Sequence, residues 1–192
     1  MEKRCCVWVN ALIIMISVGL GDLPQSKAQE ITSLIEFTNV WKYDRSGLEL
    51  GSAWRTNDFD DSAWPSGPGL LGFEEPILPY LVHAPFGFGT VFPLSQTVTT
   101  YYFRTTFLLS GPTNQVRLFS TNLIDDGAVI YLNGRVASVI RAPSLFGSVN
   151  ATTLFNGPSI EGTPDIVLLT NFLREGANVV AVEVHQYSPS NS

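Results

Sequence analysis

Three groups of side chains in this 192-residue sequence combine residue types and spacings that can do chemistry. The first is Asp125-Asp126-Gly127. Two adjacent carboxylates at a turn offer hard oxygens to a calcium ion, with Asn122 and Asp165 as further donors, or accept hydrogen bonds from sugar hydroxyls. The same residues also make a plain turn, one aspartate bonding backbone N–H groups while Gly127 takes a positive φ. The second group is Asp60-Asp61 with Trp64. A carboxylate beside an indole suits a sugar, whose C–H face stacks on the ring while its hydroxyls bond the acid. A capped turn that buries its Trp uses the same residues. The third is His185, which with His83 makes up the histidine content, so a histidine metal site needs carboxylates to complete it. No Ser-His-Asp order or His-x-x-x-His spacing accompanies it, and a polar residue at a strand end is its simplest role. The candidate ligand-binding residues are therefore Asp60, Asp61, Trp64, Asp125, Asp126 and His185. Asp125 and Asp126 double as candidate calcium ligands, and no catalytic residue is assigned. A carboxylate pair for glycoside hydrolysis stays open, because the separation that defines it is spatial.

The elements that must position these residues read as short strands between turns. Leu34–Tyr43 reads as a first strand and Trp54 as the close of a second short element. Asn57–Pro65 reads as a loop with one helical turn. Pro65–Pro93 is dense in Pro and Gly and reads as a long excursion over one end of the fold. Its aromatics Tyr80, Phe86, Phe88 and Phe92 are either a ligand platform or a cover for that end. Thr99–Leu109 is β-branched and aromatic throughout, as a long strand should be. Gln115–Ile124 alternates and is the next strand. Ala128–Leu132 and Arg135–Arg141 flank Asn133-Gly134, a two-residue type I′ hairpin turn that needs positive φ at both positions. After a second Gly/Pro/Asn-rich excursion over Ala142–Pro164 come a strand at Asp165–Thr170 and one helical turn at Asn171–Glu175. The last strand, Asn178–Tyr187, is apolar on nearly both faces and so belongs in a sheet centre.

The N-terminus reads as a leader. Lys3 and Arg4 precede an apolar run from Cys5 to Leu20, and Ser26 and Ala28 are the small residues a signal peptidase accepts. Residues 1–28 are thus expected to be removed after Ala28, and the product to be secreted, extracellular or periplasmic, with no membrane attachment after cleavage; the alternative is an uncleaved membrane anchor, for which the run falls short of the roughly 20 residues of a spanning helix. Both cysteines lie in the leader, so residues 29–192 have no disulfide and depend on one hydrophobic core. The net charge of −6, with no basic patch, argues against nucleic acid and leaves neutral ligands or cations. Short strands, Gly/Pro turns and no helical periodicity indicate an all-β, jelly-roll-like antiparallel β-sandwich with long Gly/Pro-rich loops.

Several blocks occur in a telling order: Trp41-x-Tyr43, Phe59-Asp60-Asp61-Ser62-x-Trp64, Tyr102-Phe103-Arg104, Asp125 to Gly134, and Glu175-Gly176-x-Asn178 through His185-Gln186. The pattern resembles the galactose-binding-domain-like jelly rolls, including the sugar-binding domains of family 2 glycoside hydrolases and related modules of secreted bacterial proteins. The resemblance implies one domain over residues 29–192, C-terminally incomplete, since related modules add a further strand after the His-Gln block. It also implies a non-catalytic carbohydrate-binding or adhesion-type accessory module, with carbohydrate or a cell-surface polymer as ligand and other domains of a longer chain as neighbours. Calcium is the one cofactor expectation. The rival functions are a structural spacer from a larger secreted hydrolase or surface protein, and a free-standing carboxylate-based glycoside hydrolase.

Overall fold

A computed structural model describes residues 11–17, 30–72, 90–92, 98–143, 149–156, 163–169 and 172–188. The strands are β1 (Ala11–Ser17), β2 (Glu30–Ile35), β3 (Val40–Asp44), β4 (Ser66–Pro68), β5 (Leu71–Gly72), β6 (Thr90–Val91), β7 (Thr100–Leu109), β8 (Val116–Asn122), β9 (Gly127–Leu132), β10 (Arg135–Ile140), β11 (Asp165–Leu168) and β12 (Gly176–His185). They form a six-stranded sheet in the order β10-β9-β12-β7-β3-β4 and a four-stranded sheet in the order β11-β8-β1-β2. A short parallel pair, β5–β6, lies beside them; every other pairing is antiparallel. The protein is an all-β sandwich. Its main core holds Trp41, Phe103, Ile130 and Val182 from the large sheet with Ile35 and Leu118 from the small one, all buried.

Local chemistry explains much of this layout. Asn133 and Gly134 have φ of 51° and 85°, the two positive values that a type I′ hairpin demands. Asn133 also ties the hairpin to β12. Its Oδ1 accepts from the Val179 N–H at 3.0 Å, and its Nδ2 donates to Asn178 Oδ1 at 2.8 Å. β12 is central, flanked by β7 from Gly176 to His185 and by β9 from Val180 to His185. Val180, Val182 and Val184 point into the main core, while Val179, Ala181, Glu183 and His185 occupy the opposite face.

Four expectations from sequence are corrected. Leu34–Tyr43 is not one strand: the chain turns at residues 36–39, where the Asn39 N–H donates to the Glu36 carbonyl at 3.0 Å. Asn39 Oδ1 accepts from the Glu36 N–H, so an asparagine side chain makes the crossover between sheets without Gly or Pro. The helical turn falls at Ala53–Arg55, ahead of Asn57–Pro65, and buries Trp54. Residues 172–175 form a turn, not a helical one, with Phe172 at φ 74°. Gly127 does not take the positive φ expected of a turn; it opens β9, where an added Cβ would meet the Phe155 ring and the Ile140 carbonyl. Of the two readings of the excursion's aromatics, Phe92 follows the cover, buried against Tyr101 and Phe103; Tyr80, Phe86 and Phe88 lie outside the described residues. Within the apolar run read as a leader, Ala11–Ser17 forms the strand between β2 and β8.

Candidate functional site

The face of the large sheet turned away from the small one is also covered. Residues of the 45–64 segment and the 149–156 segment close over it, forming a second cluster around Trp54, Tyr102, Tyr131, Phe155 and Val179. This layer collects most of the chemistry in the chain.

Arg104 organises one end. It stands on β7, 3 % exposed, with its Nε 2.7 Å from Asp61 Oδ2. Its Nη1 donates to the Trp54 carbonyl, its Nη2 donates to the Thr56 carbonyl at 3.3 Å, and its guanidinium carbon lies 5.1 Å from the Phe59 ring centre. Burial pushes the guanidinium pKa down from its ordinary value, and the Asp61 charge opposes that. One buried cation thus clamps the whole 54–61 loop to the sheet. The clamp places Trp64, half-buried, with its ring 6.3 Å from Trp54 and 5.6 Å from Phe59. The Trp64 N–H donates to the Asp61 carbonyl at 3.0 Å, and the Trp64 carbonyl accepts from Lys42 Nζ at 3.1 Å. Asp60 is exposed on the same turn. Its Oδ1 accepts from the Ser62 N–H at 2.9 Å, and that bond is the main reason its carboxyl sits below the usual aspartate range.

Glu183 holds the middle. It pairs across strands with Tyr102 and Val129, and its Oε1 accepts from the Tyr131 hydroxyl at 2.5 Å. Burial pushes the Tyr131 phenol up, and the Glu183 carboxylate adds to the rise. The Tyr102 phenol is also raised, first by burial and then by Glu49 and Glu183. Arg55 lies over Tyr131, its guanidinium carbon 4.3 Å from the ring centre.

His185 and Asp126 lie at the other end. His185 is fully buried rather than displayed at a strand end, because Phe155 stacks on its ring at 4.3 Å. Its Nδ1 is 2.9 Å from both Thr100 Oγ1 and the Thr153 carbonyl. A carbonyl oxygen only accepts, so Nδ1 carries a proton. Nε2 then faces Glu183 Oε1 at 3.8 Å. Asp126 is also buried, and its Oδ2 accepts from the Tyr187 N–H at 2.6 Å. Arg141 braces the crossover that holds Asp125 and Asp126: it donates to the carbonyls of Asp126 and Ile124 and pairs with both oxygens of Asp165.

The structure thus brings Asp61, Trp64 and His185 into one layer, with Asp60 at its rim and Asp125-Asp126 beyond its far end. It does not gather Asp125, Asp126, Asn122 and Asp165 into a cation cage. Asp165 is paired with Arg141, and Asn122 Oδ1 accepts from Ser120 Oγ at 2.6 Å. Among the described residues, no group of three or more His, Cys, Asp or Glu side chains is placed to hold a metal. Sequence reasoning passed over Arg104, Tyr102, Tyr131 and Glu183. The period-2 alternation that could reveal them is present, since each is out of phase with core residues on its own strand.

No family model matches the chain, and no curated protein matches it. Among solved structures, it is similar to a β-glucuronidase from an uncultured Clostridium species, at 17% identity and a TM-score of 0.47, over 86% of this chain and 24% of that one. It is also similar to the β-glucuronidase of Ruminococcus gnavus, at 15% identity and a TM-score of 0.49, over 91% of this chain and 22% of that one. The chain therefore spans about a quarter or less of the length of either enzyme.

Proposed function

We propose that this chain is a non-catalytic carbohydrate-binding accessory module of an exported protein, which takes a neutral sugar at the Asp60–Trp64 turn. One observation carries the proposal: a half-buried indole, backed by two aromatic rings, shares a turn with an exposed carboxylate. The backing limits the freedom of the ring, so little side-chain entropy remains to be lost when a sugar face stacks on it. Asp60, with its depressed pKa, is an ionised acceptor for sugar hydroxyls at any neutral pH. The net charge of −6 suits a neutral rather than an anionic polymer. Against a catalytic role, Asp61 pairs with Arg104, Asp126 accepts from a backbone N–H, Asp165 pairs with Arg141, and Glu183 accepts from Tyr131. Export rests on the apolar N-terminal run; no helix among the described residues is long and apolar enough to cross a membrane.

Affinity electrophoresis through soluble neutral polysaccharides tests the proposal. Retardation by one of them should vanish in Trp64→Ala and fall at least tenfold in Asp60→Asn, with Asp58→Asn as control. Retardation by none, or binding that Asp60→Asn leaves intact, would overturn it. Adding a chelator separates out the calcium expectation. With the carboxylates already engaged, the melting temperature should stay unchanged, and a chelator-induced fall would restore a calcium site near Asp125 and Asp126.

A second reading, a spacer within a larger polypeptide, is favoured by the outer face of the small sheet. Ile166, Leu168 and Ile31 stand exposed there at 67, 47 and 64 %. Neighbouring domains would cover such a face.

A further inference from the structure

The covered layer of the large sheet holds polar atoms that the fold leaves unmatched. Trp54 Nε1, Tyr102 Oη and His185 Nε2 belong to side chains at most 1 % exposed, and none has a hydrogen-bond partner among the described residues. Such atoms are rare in folded proteins, because an unmet buried donor or acceptor keeps its full desolvation cost. Glu183 stands beside them. Tyr102 is its partner across the β7–β12 ladder, and the Glu183 charge helps to raise the Tyr102 phenol pKa. Trp54 packs edge-on against Tyr102 at 4.9 Å and against Tyr131 at 5.8 Å, and the Tyr131 hydroxyl donates to Glu183. His185 Nε2 faces Glu183 Oε1 at 3.8 Å, beyond hydrogen-bond range. The layer is not sealed, since Glu183 keeps 6 % of its side-chain surface exposed. The two segments that cover it are tied by Glu49, whose carboxylate accepts from the Ala151 N–H at 2.7 Å, a bond outside both sheets.

We propose that the layer around Glu183 binds a small neutral polyhydroxyl compound, the size of glycerol or a single sugar. Its hydroxyls accept from Trp54 and Tyr102 and donate to Glu183 and His185. The class of ligand follows from the mixture of roles. The Trp54 N–H only donates, and the Tyr102 hydroxyl does either. His185 Nδ1 holds its proton toward the Thr153 carbonyl, so Nε2 of the neutral ring accepts, as the Glu183 carboxylate does. An anion would suit Trp54 and Tyr102 but meet the Glu183 charge. A cation would suit Glu183 and His185 but leave the indole N–H unmet. It would also lie near Arg55, whose guanidinium carbon is 5.7 Å from the Trp54 ring centre and 4.3 Å from that of Tyr131. A hydroxyl both donates and accepts, and it carries no charge. The size follows from the ladder: Glu183 and His185 lie two residues apart on one face of β12, about 7 Å, so several hydroxyls are needed to serve the whole row. The site is separate from the Asp60–Trp64 turn and does not depend on it.

The test titrates the full chain with glycerol, erythritol and glucose, with ammonium chloride and sodium acetate as charged comparisons. The His185 ring is followed by nitrogen NMR of histidine-labelled protein, and His83→Gln assigns its signal. At least one polyol should move the Nε2 signal saturably, and neither salt should. Tyr102→Phe and Trp54→Phe each remove a donor and keep an aromatic ring, and each should weaken that binding at least tenfold. Because the Tyr102 hydroxyl has no partner within the described fold, Tyr102→Phe should leave the ligand-free melting temperature unchanged or higher. Trp64→Ala and Asp60→Asn should leave the Nε2 response intact, which separates this site from the sugar-binding turn. Four results would each overturn the proposal: no polyol moves Nε2, so that water alone completes the layer; either salt moves it as far; Tyr102→Phe and Trp54→Phe both bind as the parent does; or Tyr102→Phe melts lower or fails to fold.

Discussion

The Arg104–Asp61 pair offers the sharpest test of how the covered face is held. Arg104 is 3 % exposed and Asp61 28 %, so the pair sits at a boundary where neither burial nor solvent dominates. Replacing Asp61 with Ala leaves a buried guanidinium with two carbonyl partners, Trp54 and Thr56. Breaking a fully buried pair costs about 3–5 kcal/mol; with Asp61 partly in water and those carbonyls retained, about 2 kcal/mol is expected. Arg104→Met removes the charge but strips both carbonyls of a donor, at about 1 kcal/mol each plus lost packing on Phe59, or roughly 2.5 kcal/mol. Once the cation is gone, Asp61 has little left to stabilise, so the double variant should lose only about 3 kcal/mol. The coupling is then about 1.5 kcal/mol, well above the few tenths expected of independent sites. Urea unfolding followed by tryptophan fluorescence measures all four corners, because Trp54 and Trp64 lie within the clamped loop. Each single variant should also lower the melting temperature by roughly 5 °C or more. Coupling within about 0.3 kcal/mol of zero would refute the clamp and leave the loop held by its aromatic contacts alone.

Two further outcomes follow from the same geometry. Tyr102 and Tyr131 have phenol pKa values raised above the ordinary 10.0, so the folded state holds their protons more tightly than the unfolded chain. That stabilisation is complete below about pH 10 and is lost as pH rises above it, at up to about 1.4 kcal/mol per pH unit for each phenol. Denaturant midpoints should therefore fall on alkaline titration, with a shallower fall in Tyr131→Phe; parallel curves would refute the assignment. Gly134→Val should destabilise by roughly 1 kcal/mol or more, because φ of 85° suits no β-branched residue and the added Cβ meets Thr56 Cγ2 at 3.2 Å. A neutral thermal melt would show that the hairpin tolerates another turn.

Much of the layout is legible in particular residues. Asn133-Gly134 announces its turn because positive φ is a property of those two residues, whatever surrounds them. The apolar run from Val179 to Val184, interrupted only at Glu183, announces a central strand, because both of its faces ask for burial. The site is less legible. Trp64 and Asp61 were visible as candidates, but the partner that positions them, Arg104, lies 50 residues from the Trp54 carbonyl it also binds. His185 looked like a strand-end polar residue, yet Phe155 covers it from a loop with no regular pattern. Glu183 sits in an apolar run, where it reads as an interruption; only the Tyr131 hydroxyl, 52 residues away, accounts for it.

By itself, the sequence determined the all-β class, the main hairpin, the central place of β12 and the turn that carries Asp60. Each of these depends on φ preference or on the run of apolar residues within a few positions. Tertiary structure alone decided that both faces of the large sheet are covered. It also decided that most of the candidate carboxylates are engaged by the fold, and that an apolar run with leader chemistry fills a lane of the small sheet. The physical reason is distance along the chain: a carboxylate's role depends on which donor reaches it, and a strand's place depends on which edges remain unpaired.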